Sequence, residues 1–187
     1  MYSTSDFRKG LKIKFKDEPY VIVEFQHVKP GKGGAFVRTK LKNMITGRVL
    51  DETFRSGEKV ERPDVEEKEM QYLYQGQEGF CFMDNNTYEQ IFMDEDHVGD
   101  QKYFLQENIN LKVLFYNGQP IGLDFPTTVN LTVIKSDPGI KGDTATGATK
   151  PAALETNLVV QVPLFINEGD VLKIDTRSGE YIERVKS

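Results

Sequence analysis

Leu11-Lys12-Ile13-Lys14-Phe15-Lys16 alternates apolar and cationic side chains without a break. That period of two belongs to a β-strand with one buried face. Asp17-Glu18-Pro19 turns the chain, Tyr20 to His27 is β-branched and aromatic, and Ala35 to Lys42 alternates again, with Phe36, Arg38, Lys40 and Lys42 on one face. A further strand from Val49 to Phe54 follows Thr46-Gly47, and Arg55-Ser56-Gly57-Glu58-Lys59 makes the next turn. Four or more short strands within about 60 residues predict a small barrel.

The same texture continues to the end of the chain. Its 187 residues are 38% hydrophobic, enough for a real core, and glycine, proline, tyrosine and phenylalanine are well supplied while tryptophan is absent. At Arg62-Pro63-Asp64 a proline interrupts the pattern, and new strands begin at Glu66. Met70 to Gln75, Phe80 to Met83 and Thr87 to Met93 read as successive hairpins. A short helix is expected from Asp94-Glu95-Asp96 to about Leu105, and Asn117-Gly118 between Ile109–Tyr116 and Gln119–Leu123 carries the strongest hairpin signal in the chain. Phe125-Pro126 marks a second boundary, followed by strands at Val129–Ile134, Leu158–Val162, Val171–Asp175 and Tyr181–Val185. The expected domains are 1–63, 64–126 and 127–187, three all-β modules with no residue-level repeat between the last two.

Several chemistries are unsupported. The two histidines, His27 and His97, lie far apart with no cysteine cluster, so neither zinc ligation nor a Ser-His-Asp triad is indicated. Gly142 and Gly147 have Walker spacing, but Ala148 stands where the lysine belongs. Cys81 is the only cysteine, which rules out an internal disulfide, and among alternating apolar residues it reads as a small buried hydrophobe. The N-terminus is polar and no apolar run nears the roughly 20 residues that cross a bilayer, so a soluble, cytoplasmic protein with no membrane partner is expected. The sequons at Asn85 and Asn130 would go unused. No cofactor, metal or enzymatic activity is called for.

Charge is unevenly divided. Residues 1–63 hold 14 Lys+Arg against 8 Asp+Glu, and residues 64–187 hold 10 against 21, so the net charge of −5 averages a basic first third with an acidic remainder. The first part suits phosphate backbones. A scatter of solvated charges is the competing reading. Within that part, Lys29-Pro30-Gly31-Lys32-Gly33-Gly34-Ala35 sets one long side chain, Lys32, among residues with almost none. Pro30 fixes its own φ, and Gly31, Gly33 and Gly34 permit tight or left-handed turns. Such a lysine fits a narrow polyanionic cavity or a modifying enzyme. It equally fits an ordinary exposed turn. Gly139-Ile140-Lys141-Gly142-Asp143-Thr144 is a second candidate loop, able to read a single strand or to serve only as a flexible linker.

Taken together, Val28 to Phe36, Tyr72-Leu73-Tyr74, Asn117 to Ile121, Asp137 to Thr144, Lys150-Pro151-Ala152, Val160 to Ile166 and Asp175 to Tyr181 stand in one order along the whole chain. In that order the sequence resembles the bacterial elongation factor P family. It departs mildly at Asn157, where the family commonly has glycine.

The resemblance implies a KOW-like (SH3-type) barrel followed by two OB-fold barrels in an L-shaped, tRNA-mimicking arrangement. It implies ribosome binding between the P and E sites, with contacts to both subunits, and rescue of stalling at consecutive prolines. Lys32 matches the family's loop-tip residue, which contacts the CCA end of peptidyl-tRNA and in part of the family is enzymatically extended. Pro30, Gly31, Gly33 and Gly34 would support it, with Lys29, Arg38, Lys40 and Lys42 as phosphate contacts. Gly142, Asp143 and Thr144 match the loop that approaches E-site mRNA. A lysine-modifying enzyme is a further candidate partner, and a monomer is expected. The rival readings are a general RNA-binding barrel protein and an enzyme with an unfamiliar site.

Overall fold

The computed structural model describes residues 1–139 and 147–186, and within them strands dominate. The N-terminal strands are β1 (Tyr2–Ser3), β2 (Lys12–Phe15), β3 (Glu18–Val28), β4 (Phe36–Asn43), β5 (Val49–Arg55) and β6 (Lys59–Val60). β2 to β5 form an antiparallel sheet in chain order, while β1 pairs with β6. Leu11 and Ile13 are buried as their alternation predicts, in a core with Ile22, Val37, Leu41 and Phe54. Burying each such side chain is worth roughly 1.5–3 kcal/mol. The rings of Phe7 and Phe54 meet edge to face at 5.3 Å, a geometry the ring quadrupoles favour.

Asn43 shows how the β4–β5 turn is held. It is buried, and its Oδ1 accepts the backbone N–H groups of Ile45 (2.8 Å) and Thr46 (2.9 Å), while its Nδ2 donates to Glu18 Oε2 at 2.6 Å. A buried amide left without these partners would lose about 1–3 kcal/mol.

Strands β7 (Glu66–Gly76), β8 (Gly79–Asp84), β9 (Gln90–Met93), β10 (Asn110–Tyr116) and β11 (Gln119–Asp124) form a second sheet in the order β11-β10-β7-β8-β9. The β10–β11 turn is Asn117-Gly118, both at positive φ (51° and 77°), as a two-residue hairpin of this composition requires. Cys81 is fully buried, as expected. The expected helix is shorter than the sequence suggests. An α-turn spans only Glu95–Val98, capped by Asp94 Oδ1, which accepts the His97 N–H at 2.9 Å. Gly99 at φ 54° then ends it, and a 3₁₀ segment, Gly99–Phe104, carries the chain onward. The acidic start was legible. The glycine's break outweighed the helical pattern beyond it.

Strands β12 (Thr128–Ser136), β13 (Thr149–Leu154), β14 (Val159–Pro163), β15 (Val171–Asp175) and β16 (Tyr181–Arg184) make a third sheet, ordered β14-β13-β12-β15-β16. Its core gathers Leu131, Leu154, Val162, Leu172 and Ile174, joined by Phe104 from the 3₁₀ segment. Thr176 Oγ1 donates to the Pro126 carbonyl at 2.6 Å, fastening the β15–β16 turn to the residues that enter β12.

By contact density the chain forms two compact units: Met1–Lys68 with Val113–Gly122, and Glu69–Lys112 with Leu123–Ser187. Within the first unit, Met44, Leu114 and Ile121 make a small separate apolar cluster, flanked by Val21, Ile45, Val65 and Tyr116. Tyr116 Oη also donates to the Asp17 carbonyl at 3.2 Å.

Candidate functional site

The β3–β4 hairpin builds the site. Its register runs Tyr20↔Asn43, Val21↔Lys42 and Ile22↔Leu41, then shifts, and resumes as Glu24↔Lys40, Phe25↔Thr39, Gln26↔Arg38, His27↔Val37 and Val28↔Phe36. Val23 is the extra residue, a β-bulge that bends and twists the strand. Before it, Tyr20 and Ile22 are buried; after it, Glu24 to His27 are all exposed. β2 pairs with β3 only as far as Lys12↔Val21, so beyond Ile22 the strand runs along the sheet edge with β4 on its one paired side.

Seven residues, Lys29–Ala35, close this hairpin, and Ser56 N–H donates to the Ala35 carbonyl at 2.9 Å to hold the loop's C-terminal end. Lys32 is exposed, as are Lys29, Pro30, Gly31, Gly33 and Gly34. Gly33 stands at φ 105°, a conformation that L side chains rarely adopt. A Cβ there would come no nearer than 4.0 Å to any atom, that of Pro30 Cγ, and one at Gly31 or Gly34 would meet nothing within 4 Å. Gly33 is thus required by the backbone. The other two leave the tip slender without being needed for its shape.

Arg38, Lys40 and Lys42 share one face of β4, with Val37, Thr39 and Leu41 buried on the other. The three cations differ in their surroundings. Lys40 Nζ pairs with Glu24 Oε2 at 3.3 Å and lies opposite Asp51 across β5. The Arg38 guanidinium lies 5.5 Å from the centre of the Phe36 ring, a cation–π contact. Lys42 is half-buried between Val21 and Val49.

A period of two carried straight along β3 would mis-assign the residues after Val23, and so neither the Glu24–Lys40 pair nor the exposed aromatic pair Phe25–His27 was evident beforehand. Those two rings meet edge to face at 5.8 Å. The second candidate loop, with Gly142, Asp143 and Thr144, lies outside the described residues. At its flank, the buried Lys150 Nζ donates to the Asp137 carbonyl at 2.6 Å, so this lysine serves the barrel wall. Among the described residues, no group of three or more His, Cys, Asp or Glu is placed to hold a metal ion. No helix among them is long and apolar enough to cross a membrane.

Comparison with known proteins adds to this geometry. The Elongation factor P (EF-P) KOW-like domain matches residues 3–60, the Elongation factor P (EF-P) OB domain residues 65–123, and the Elongation factor P, C-terminal domain residues 129–184. Elongation factor P of Bdellovibrio bacteriovorus is 62% identical over 185 residues, covering 99% of this chain and 98% of the relative. That of Nitratidesulfovibrio vulgaris is 56% identical over 98% of this chain and 100% of the relative, and that of Moorella thermoacetica 57% over the same shares. Among solved structures, a eukaryotic translation initiation factor 5A from Methanococcus jannaschii aligns at a TM-score of 0.47 and 20% identity, over 67% of this chain and 90% of the other.

Proposed function

This chain belongs to the elongation factor P family of translation factors, and from that premise we propose that it acts in the cytoplasm by binding the ribosome between the P and E sites and rescuing synthesis at consecutive prolines. The observation that supports this reading is the isolation of Lys32. It is the long side chain of an exposed, glycine-flanked tip on a hairpin that runs past the strand beside it.

The mechanism is one of positioning. Proline is a poor partner in peptide-bond formation because its ring favours geometries away from the near-attack arrangement, and holding the reacting ends recovers a large entropic term. The Lys32 ammonium, or an enzymatically lengthened form of it, donates charge-assisted hydrogen bonds to the CCA end of peptidyl-tRNA. Lys29, Arg38 and Lys42 meet phosphates beside it, and Lys40 joins them by exchanging its Glu24 partner for a phosphate. The Gly142-Asp143-Thr144 segment approaches E-site mRNA. The factor works as a monomer, spans both ribosomal subunits and orients the substrates while the ribosome performs the chemistry. The domain limits 1–63, 64–126 and 127–187 belong to the same proposal.

The test is Lys32→Ala in a reconstituted translation system, read as ribosome pausing on a proline run. Pausing should return to the level without factor, with melting unchanged, since an exposed substitution shifts stability by no more than about 0.5 kcal/mol. Full relief of pausing by the alanine variant would sink the reading.

A further inference from the structure

We infer that Phe25 and His27 form a stacking site for an unpaired nucleobase of the tRNA 3′ end; this rests on the reading above and extends it from the loop tip to the edge of the hairpin. Of the large apolar side chains exposed in the first unit among the described residues, Met1, Phe25 and Val49, only Phe25 is aromatic. It is 40% exposed, on a strand whose neighbours Glu24, Gln26 and His27 are also exposed. Burying a phenylalanine in the barrel was open to this sequence, as Phe54 shows, so exposure at this edge calls for an occupant.

The occupant is identified by size and charge. Phe25 and His27 share the sheet face of Thr39 and Val37, opposite the face that carries Arg38 and Lys42. Strand rise places Phe25 about 10 Å down the hairpin from Val28, where the loop begins. A ligand running from the tip along this edge therefore meets cations at Lys32 and Lys29 and then one ring with an imidazole against it. That apolar area suits a single base. A specific protein interface needs about 800 Å² from each partner, and the polar neighbours here supply no such apolar surface. Single-stranded RNA ends are read by stacking unpaired bases on Phe and His rings, with cations tracking the backbone. The mutual edge-to-face contact pre-sets both rings, so little rotamer freedom is lost on binding.

The test uses the full chain and free tRNA whose single-stranded 3′ end carries 2-aminopurine, a base whose fluorescence falls on stacking. The native chain and F25W should quench it, and F25L and H27L should each bind the labelled tRNA roughly tenfold more weakly with little quenching. The salt slope should be the same for every variant, because stacking releases no counterions. Leucine keeps the apolar bulk, and H27L leaves Phe25 intact, so loss in both variants cannot be assigned to unfolding of one. Absence of quenching by the native chain, equal quenching by F25L, or loss of ribosome binding in F25L without any change in the tRNA signal, which would indicate a protein partner, overturns the inference. Pausing measured with Lys32→Ala reports separately on the underlying function, and that variant should still quench.

Discussion

Lys40 Nζ lies 3.3 Å from Glu24 Oε2, and the same lysine stands opposite Asp51 on the adjoining strand. A face that looks uniformly cationic along β4 is therefore partly neutralised across the sheet. Glu24 is largely exposed and Lys40 partly so, so the pair itself is worth no more than about 1 kcal/mol to the fold.

Phosphate contacts on that face should then be unequal. Arg38→Gln should lower the salt slope of ribosome association by about one, whereas Lys40→Gln should change it much less. Glu24→Gln should raise both affinity and slope by releasing Lys40. Association measured over a salt series decides this; equal slopes for Arg38→Gln and Lys40→Gln would show that the ion pair has no influence.

The loop glycines should separate. Gly33→Val must hold a β-branched residue at φ 105°, at roughly 1–3 kcal/mol of local strain, and should distort the tip and lose proline rescue. Gly31→Ala meets open space and should leave melting within about 0.5 kcal/mol of the native protein. Reduced rescue in Gly31→Ala with unchanged melting would then report clearance inside the ribosome.

A tighter steric case lies at the β8–β9 hairpin. A Cβ at Gly79 would stand 2.3 Å from the Met93 carbonyl oxygen, with φ at 115°. Gly79→Ala should lower stability by clearly more than the roughly 1–2 kcal/mol of a left-handed conformation alone. Gly118→Ala, also at positive φ but in open space, is the control. Equal denaturation midpoints for the two would refute the clash.

Acid titration should single out the β15–β16 turn. Hydrogen bonds from the Arg177 side chain, then from its backbone N–H, bring the Asp175 carboxyl from 3.8 down to about 2. A folded-state value below the unfolded one contributes stability that is fully present above the ordinary carboxylate range and is lost as pH falls through about 2. Arg177→Met should move the titration of the Asp175 side-chain carboxyl, followed by NMR, upward toward the ordinary range. Asp94, lowered chiefly by the backbone N–H of His97, should not move with it.

Much of this was legible in the sequence because the physics is local. Leu11 and Ile13 are buried where their period of two puts them, Asn117-Gly118 makes the turn its composition requires, and Lys32 is exposed among its glycines. What escaped depended on register. The Glu24–Lys40 pair and the Phe25–His27 face follow from one extra residue at Val23, and no alternation pattern announces where a phase shift falls. Gly99 likewise cut the helix because its φ of 54° belongs to the turn and not to the surrounding composition.

The bulge at Val23 has a bearing on how such a hairpin can change over generations. Deleting that residue would leave Ile22 opposite Leu41 and Glu24 opposite Lys40, an unbroken ladder with every pair conserved. Only the bend would vanish. The aim of the Lys32 ammonium is thus steered nine positions upstream, outside the loop itself, and a lineage could retarget the tip by gaining or losing one residue there while its loop sequence stayed the same.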